Sequence, residues 1–195
     1  MMLKIVVTGA PMSGKSCLLK EAKRRLEAEY DIPVFILPEV ASDLIENCFT
    51  PDRDIMTFQS MLYRIHKTKE DILSSFLPEN GILLTDRGLP DGCCYISDDL
   101  FSEILAANGD DAAGILSRYD HVIQLQTVCV YKDVSSIDTL SNTNRQETSK
   151  DDILRFEEKL KEIYKPHPSY HFIPAERDIE KKGQRLLDLI MSLIS

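Results

Sequence analysis

The sequence predicts an α/β fold: a three-layer, doubly wound and mostly parallel sheet of about five strands. Three observations carry this reading. Short β-branched apolar runs recur, several closed by Gly, Pro or Asp; longer patterns with apolar residues three and four apart lie between them; and the two kinds alternate. Residues 3–8, LKIVVT, stop at Gly9 and are too few for a helix, so they read as a fully buried strand. Beyond the glycine loop, residues 15–29 place Leu18, Leu19, Ala22 and Leu26 on one helical face. VFIL at 34–37, ended by Pro38, is the second strand, and GILLT at 81–85, ended by Asp86, is the third. HVIQLQ at 121–126 and YHFI at 170–173 supply the fourth and fifth. Helical patterns fill 40–48, 53–76, 98–107, 111–118, 149–164 and 176–194, so right-handed crossovers join the strands. Within 53–76, Phe58, Met61, Leu62 and Ile65 form the expected core stripe. The polar stretch 132–150 has no clear core positions and reads as a lid-like segment.

The 195 residues correspond to one domain at ~150 residues per domain, expected to span 1–195. An apolar fraction of 43% is enough for a core without disulfides or structural metal. Lys and Arg number 23 against 32 Asp and Glu, and the net charge of -9 opposes binding to phosphate polymers or anionic membranes. Five cysteines, an odd number with no CxxC pair and no secretory signal ahead of them, read as reduced thiols of a cytoplasmic protein. No apolar run approaches the ~20 residues that span a bilayer. His66, His121, His167 and His171 lack metal-ligand spacing, as does the vicinal pair Cys93 and Cys94, so no structural metal is expected.

The chemistry-bearing motif is GAPMSGKS at 9–16, which fits G-x-x-x-x-G-K-[ST] between a buried strand and a helix, the context a P-loop (Walker A) requires. Its glycines let consecutive N–H groups turn inward as an anion nest, and the following helix adds its positive end. Gly9, Ala10, Pro11, Met12, Ser13, Gly14, Lys15, Ser16 and Cys17 are therefore the candidate nucleotide-binding residues. Lys15 is expected to bridge the β- and γ-phosphates, and Ser16 to offer its hydroxyl to Mg²⁺. Asp86, at the carboxyl end of the third strand, is placed for the Walker B role on the metal side. Arg87 follows it where many water-activating P-loop ATPases carry Glu. An arginine there suits transfer to a substrate, either neutralising the moving phosphoryl group or holding an acceptor; the alternative is a surface salt bridge. No N-K-x-D for guanine occurs, and no D-x-x-G switch follows the third strand, so the marks of a GTPase are missing.

Glu39 follows Pro38 immediately after the second strand. In a sheet ordered like that of nucleotide kinases it overlooks the acceptor side of the γ-phosphate, where a carboxylate accepts or positions a hydroxyl proton; as first-turn acid of the next helix it would be merely structural. Gln59 is placed either to read a substrate edge or to be solvated. Arg145, in NTNRQETSKDD with Glu147, is the candidate lid arginine that closes over the phosphates and excludes water. Lys150 and Arg155 follow on the next helix.

These residues carry a family likeness. GAPMSGKS, PEVASDLI at 38–45, DRGLPDGCCYIS at 86–97, and RQE with Tyr164 and HPSYHFI at 167–173 together resemble the AAA-ATPase-like P-loop family. That family includes the kinase domain of the bacterial NAD regulator NadR and the N-terminal domain of the Ttd channel-trafficking protein. The resemblance runs over nearly the whole chain with its motifs in order. It implies a doubly wound, kinase-like P-loop NTPase fold with strand order 2-3-1-4-5 that binds ATP or GTP with Mg²⁺. On this likeness residues 9–16 hold phosphates, Glu39, Asp86 and Arg87 face acceptor and metal, and Arg145, Gln146 and Glu147 belong to the lid.

The expected function is Mg²⁺-dependent ATP binding with transfer of the γ-phosphate to a hydroxyl of a nucleoside-like or other small acceptor. The alternative is a nucleotide-dependent switch or binding module, on ATP or GTP, with weak NTPase activity. Expected partners are the nucleotide and the small acceptor, not nucleic acid or membrane, and a homo-oligomer is compatible with the sequence.

Overall fold

Strands β1 (Leu3–Thr8), β2 (Val34–Leu37), β3 (Ile82–Asp86), β4 (His121–Leu125) and β5 (Tyr170–Ile173) form one sheet in the order β2-β3-β1-β4-β5. Every pairing is parallel, so all carboxyl ends lie along one edge. The register sets Val7 beside Asp86, Leu37 beside Thr85, and Thr8 beside Gln124. This is the strand order and layering the sequence predicts. The computed structural model describes residues 2–47, 49–51, 54–132 and 149–194.

Pleating sends alternate residues of β1 into different layers. Ile5 and Val7 pack with Leu18, Leu19 and Leu26 of α1 (Lys15–Tyr30) and with Leu186 and Ile190 of α7 (Ile179–Ile194). Val6 instead joins Val122 and Tyr119 against Phe156, Leu160 and Tyr164 of α6 (Lys150–Tyr164). Both faces of the central strand are thus dry, which is why LKIVVT reads as a continuous apolar run. Each such fully buried side chain contributes about 1.5–3 kcal/mol. Leu37 and Leu83 are covered by Val40 of α2 (Val40–Glu46) and by Leu62, Ile65 and Leu73 of α3 (Ile55–Phe76).

Side-chain caps fix where the helices begin. Asp54 accepts from the Thr57 N–H at 3.0 Å and starts α3 at Ile55. Asp111 accepts from the Gly114 N–H at 2.7 Å and starts α5 (Ala112–Leu116). Ser97 caps α4 (Asp98–Ala107), and Ser149 caps α6. Such caps are each worth about 1 kcal/mol. The last helix starts at Ile179, three residues later than periodicity suggests, because Asp178 accepts from the Glu180 N–H at 3.0 Å and the Glu176 carbonyl is taken by the Tyr131 hydroxyl.

Two features depart from the sequence reading. A 3-10 helix over Leu89–Cys94 follows β3; its i to i+3 bonds, such as Asp91 N–H to Gly88 O at 3.1 Å, leave no 3.6-residue period to detect. The deepest line of α3 also differs. Phe58 is buried, but Met61, Leu62 and Ile65 are half-buried, and the buried positions beside Phe58 are Gln59, Tyr63, His66 and Glu70. A hydrophobic count cannot find a face whose buried members are largely polar. Among the described residues, no helix is long and apolar enough to cross a membrane.

Candidate active site

The loop after β1 passes so close to β4 that a Cβ on Gly9 would fall 2.4 Å from the Leu125 carbonyl oxygen, which excludes any larger residue. Met12 and Gly14 take positive φ, 65° and 86°, curling the loop around an open centre. Lys15 opens α1 and is 9% exposed, and its Nζ donates to the Gly9 carbonyl at 2.6 Å. Burial pushes Lys15 down to about 8, reinforced by the Arg87 charge and opposed by Asp86 and Glu39. The Ser16 hydroxyl donates to Asp86 Oδ2 at 2.7 Å, while Asp86 Oδ1 is buried with no hydrogen-bond partner among the described residues. Ala10, Pro11 and Ser13 are buried, whereas Ser16 and Cys17 are exposed at the helix start.

A cavity of about 590 Å³ runs from this loop to the face of α3. Glu39, Arg87, Asp91, Gln59 and His66 all line it. Arg87 Nε donates to Glu39 Oε1 at 2.5 Å, and the Ser42 hydroxyl donates to Glu39 Oε2 at 3.1 Å. Glu39 stands at the N-cap position of α2 yet makes no side-chain bond to the helix backbone, so capping is not what holds it. Burial would raise its carboxyl, but the Arg87 and Lys15 charges and the two hydrogen bonds hold it below the ordinary carboxylate value. Arg87 sits with its guanidinium 5.8 Å from the centres of both the Tyr95 and Phe156 rings. Its backbone φ is 80°, a strained value for a non-glycine residue, and it is enforced by the packing around it. Burial would lower its pKa, yet Tyr95, Glu39 and Asp91 hold it well above the usual arginine value. A side chain only 14% exposed and facing a cavity is no ordinary surface salt bridge.

Asp91 is the hub that the sequence reading passed over. It is 3% exposed and accepts from the Thr8 hydroxyl at 2.8 Å, the Tyr164 hydroxyl at 2.5 Å and the Gly88 N–H at 3.1 Å, with Arg87 Nη1 at 3.6 Å. A Cβ on Gly88 would meet the Tyr164 oxygen at 2.4 Å, so the glycine after Asp86-Arg87 is a packing requirement. The signal was the PDG triplet at 90–92, which reads as nothing more than a turn. Tyr119 links this turn to α3: its hydroxyl receives the Leu89 N–H at 2.8 Å and donates to Glu70 Oε1 at 2.7 Å. Gln59, 5% exposed, is not a solvated surface residue. Arg155 ion-pairs with Asp152 on exposed α6 surface, away from the cavity lining. Arg145, Gln146 and Glu147, with most of the 132–150 segment, lie outside the described residues.

A family profile described as an AAA domain matches residues 4–182, nearly the whole chain and every motif above. The chain belongs to that AAA-domain family. No curated protein matches it. Among solved structures, this AAA-domain protein is similar to a deoxyadenosine kinase from M. mycoides with dCMP and dCDP bound: 13% identity, a TM-score of 0.66, and coverage of 97% of this chain and 100% of that one. It is also similar to a thymidylate kinase from Ehrlichia chaffeensis at 16% identity and a TM-score of 0.62, covering 97% and 98% of the two chains. At these identities the likeness is one of fold, the P-loop kinase fold.

Proposed function

We propose that the protein is an ATP-dependent phosphotransferase that passes the γ-phosphate to a hydroxyl of a small, nucleoside-like acceptor. The observation that carries this reading is the Glu39–Arg87 pair, joined at 2.5 Å in the same cavity as the P-loop and framed by Gln59 and His66. A protein that only hydrolysed or sensed nucleotide would have no need of a carboxylate and a guanidinium beside roughly 590 Å³ of partly apolar space. Kinases of a deoxynucleoside and of a nucleotide share the fold, in keeping with an acceptor of that size.

In this mechanism the nest formed by residues 9–17 holds the triphosphate, and Lys15 leaves the Gly9 carbonyl for the β- and γ-phosphate oxygens. Ser16 Oγ and the orphaned Asp86 Oδ1 present hard oxygen donors side by side, a set that fits Mg²⁺. Mg²⁺ bound there supplies charge neutralisation on the phosphates. Glu39, ionised at neutral pH, accepts the hydrogen bond of the acceptor hydroxyl and takes its proton as the new O–P bond forms, while the bond from the γ-phosphorus to the bridging oxygen breaks and ADP leaves. Because phosphoryl transfer is loose, the hydroxyl proton moves late and becomes acidic as the O–P bond forms, so a carboxylate held below its ordinary value suffices as the base. Arg87, fixed by Asp91, Glu39 and two rings, faces the transferred group as a preorganised positive charge. Gln59 presents its amide to the acceptor. The test is to incubate the protein with Mg²⁺-ATP and a panel of nucleosides, ribosides and sugars. Mass spectrometry should find one phosphorylated acceptor; ATP hydrolysis with no such product would overturn the assignment.

A further inference from the structure

Lys182 lies on α7, far in sequence from the P-loop, and is 1% exposed. Its ammonium donates to the Ser13 carbonyl at 2.7 Å and the Gln126 carbonyl at 2.6 Å. The Thr127 hydroxyl donates to the Pro11 carbonyl at 2.7 Å. Neither side chain lines the cavity, so both approach the P-loop from outside it.

The geometry of the peptide unit turns these two bonds into a statement about the phosphate site. In a trans peptide the carbonyl of one residue and the N–H of the next are coplanar and point in opposite directions, and the chain has no cis bonds among its described residues. Holding the Pro11 and Ser13 carbonyls outward therefore aims the Met12 and Gly14 N–H groups inward. The Ser13 N–H between them is used within the loop, donating to the Ala10 carbonyl at 3.3 Å, whereas those of Met12 and Gly14 have no acceptor among the described residues. Met12 is also a non-glycine residue at φ 65°, a backbone conformation that persists only where its surroundings hold it, whereas Gly14 adopts its φ of 86° freely. A buried ammonium without a carboxylate hydrogen bond is costly, so its retention here calls for a role. Burial pushes Lys182 down to about 8, and Glu157, which accepts from the Thr127 N–H at 3.2 Å, partly opposes this.

We propose that Lys182, aided by Thr127, is a positioning residue for polyphosphate: it holds the Ser13 carbonyl back so that the Gly14 N–H faces the phosphates, and it places a second positive charge behind the loop. The proposal rests on the reading that the P-loop binds a triphosphate.

Calorimetry with inorganic tripolyphosphate and with Mg²⁺-ATP tests it on wild type, Lys182→Met, Lys182→Arg and Thr127→Val. Lys182→Met should weaken both ligands roughly tenfold or more, the scale of a lost charge-assisted hydrogen bond. Lys182→Arg should recover most of that loss, and Thr127→Val should weaken both ligands several-fold without a change in charge. In amide NMR spectra, the Met12 and Gly14 resonances should respond to tripolyphosphate in wild type and much less in Lys182→Met, a difference that a stability effect alone would not produce. Wild-type affinity in folded Lys182→Met overturns the proposal; if that variant does not fold, wild-type affinity in Thr127→Val does so. A wild-type protein that binds neither ligand would instead overturn the triphosphate reading.

Discussion

Lys15 donates to its own loop at Gly9, and a triphosphate offers it a stronger, ionised acceptor. Lys15→Ala is expected to weaken ATP binding by about 10² or more, read by calorimetry on a variant that keeps its folded far-UV spectrum. Protonation adds an independent check. With its folded pKa at about 8 against an ordinary 10.5, Lys15 has lost its proton in part of the folded protein where the unfolded chain still holds it. Stability of the free chain accordingly gains from this group as pH rises from about 8 to about 10.5. A bound polyphosphate reverses the shift, so ATP binding should take up protons between about pH 8 and 10 and almost none from this group near pH 7. Titrations in buffers of different ionisation enthalpy measure that uptake. That Lys15, Ser16 and Asp86 come together was legible in the sequence, because the P-loop pattern fixes the first two and Asp86 ends the third strand. Asp91 and Lys182 were not, since their partners include groups remote in the chain, Thr8 83 residues from Asp91 and Ser13 169 residues from Lys182.

At the scale of elements, the turn from β3 into the 3-10 helix joins the candidate site to the stability of the fold. Removing the Asp91 carboxylate strands the Thr8 and Tyr164 hydroxyls and the Gly88 N–H in a buried setting. Asp91→Ala should therefore cost about 3 kcal/mol in urea unfolding with an unchanged m-value. All five strands and all seven α-helices among the described residues could be read in advance, because short apolar runs bounded by turn residues and helices with a 3.6-residue apolar period both leave a signal in the sequence. What escaped were elements with neither signature: the Leu89–Cys94 turn, and the polar line of Gln59, His66 and Glu70 along α3. Glu70 is wholly buried yet satisfied, meeting Arg118 at 3.1 Å and the Tyr119 hydroxyl at 2.7 Å; such compensation exists only after folding brings the partners together.

The molecule as a whole brings the ends of β1, β2 and β3 to one edge of the sheet and sets Lys15, Asp86, Glu39 and Arg87 around a single cavity. Ligand at that edge should stabilise the entire domain. ATP with Mg²⁺ at 100 times its Kd adds about 2.7 kcal/mol, which for a chain of this size raises Tm by roughly 5–10 °C. EDTA should shrink the shift in wild type, and Asp86→Asn should reduce it with Mg²⁺ present far more than in EDTA. The central claim is that Glu39 and Arg87 organise an acceptor beside the P-loop, a role that Glu39→Gln probes at a single atom. Turnover with the phosphorylatable acceptor should fall ~10² or more, the range for loss of a general base, while ATP affinity stays nearly unchanged. Wild-type turnover in Glu39→Gln, or a loss confined to ATP affinity, would rule out that role for the pair.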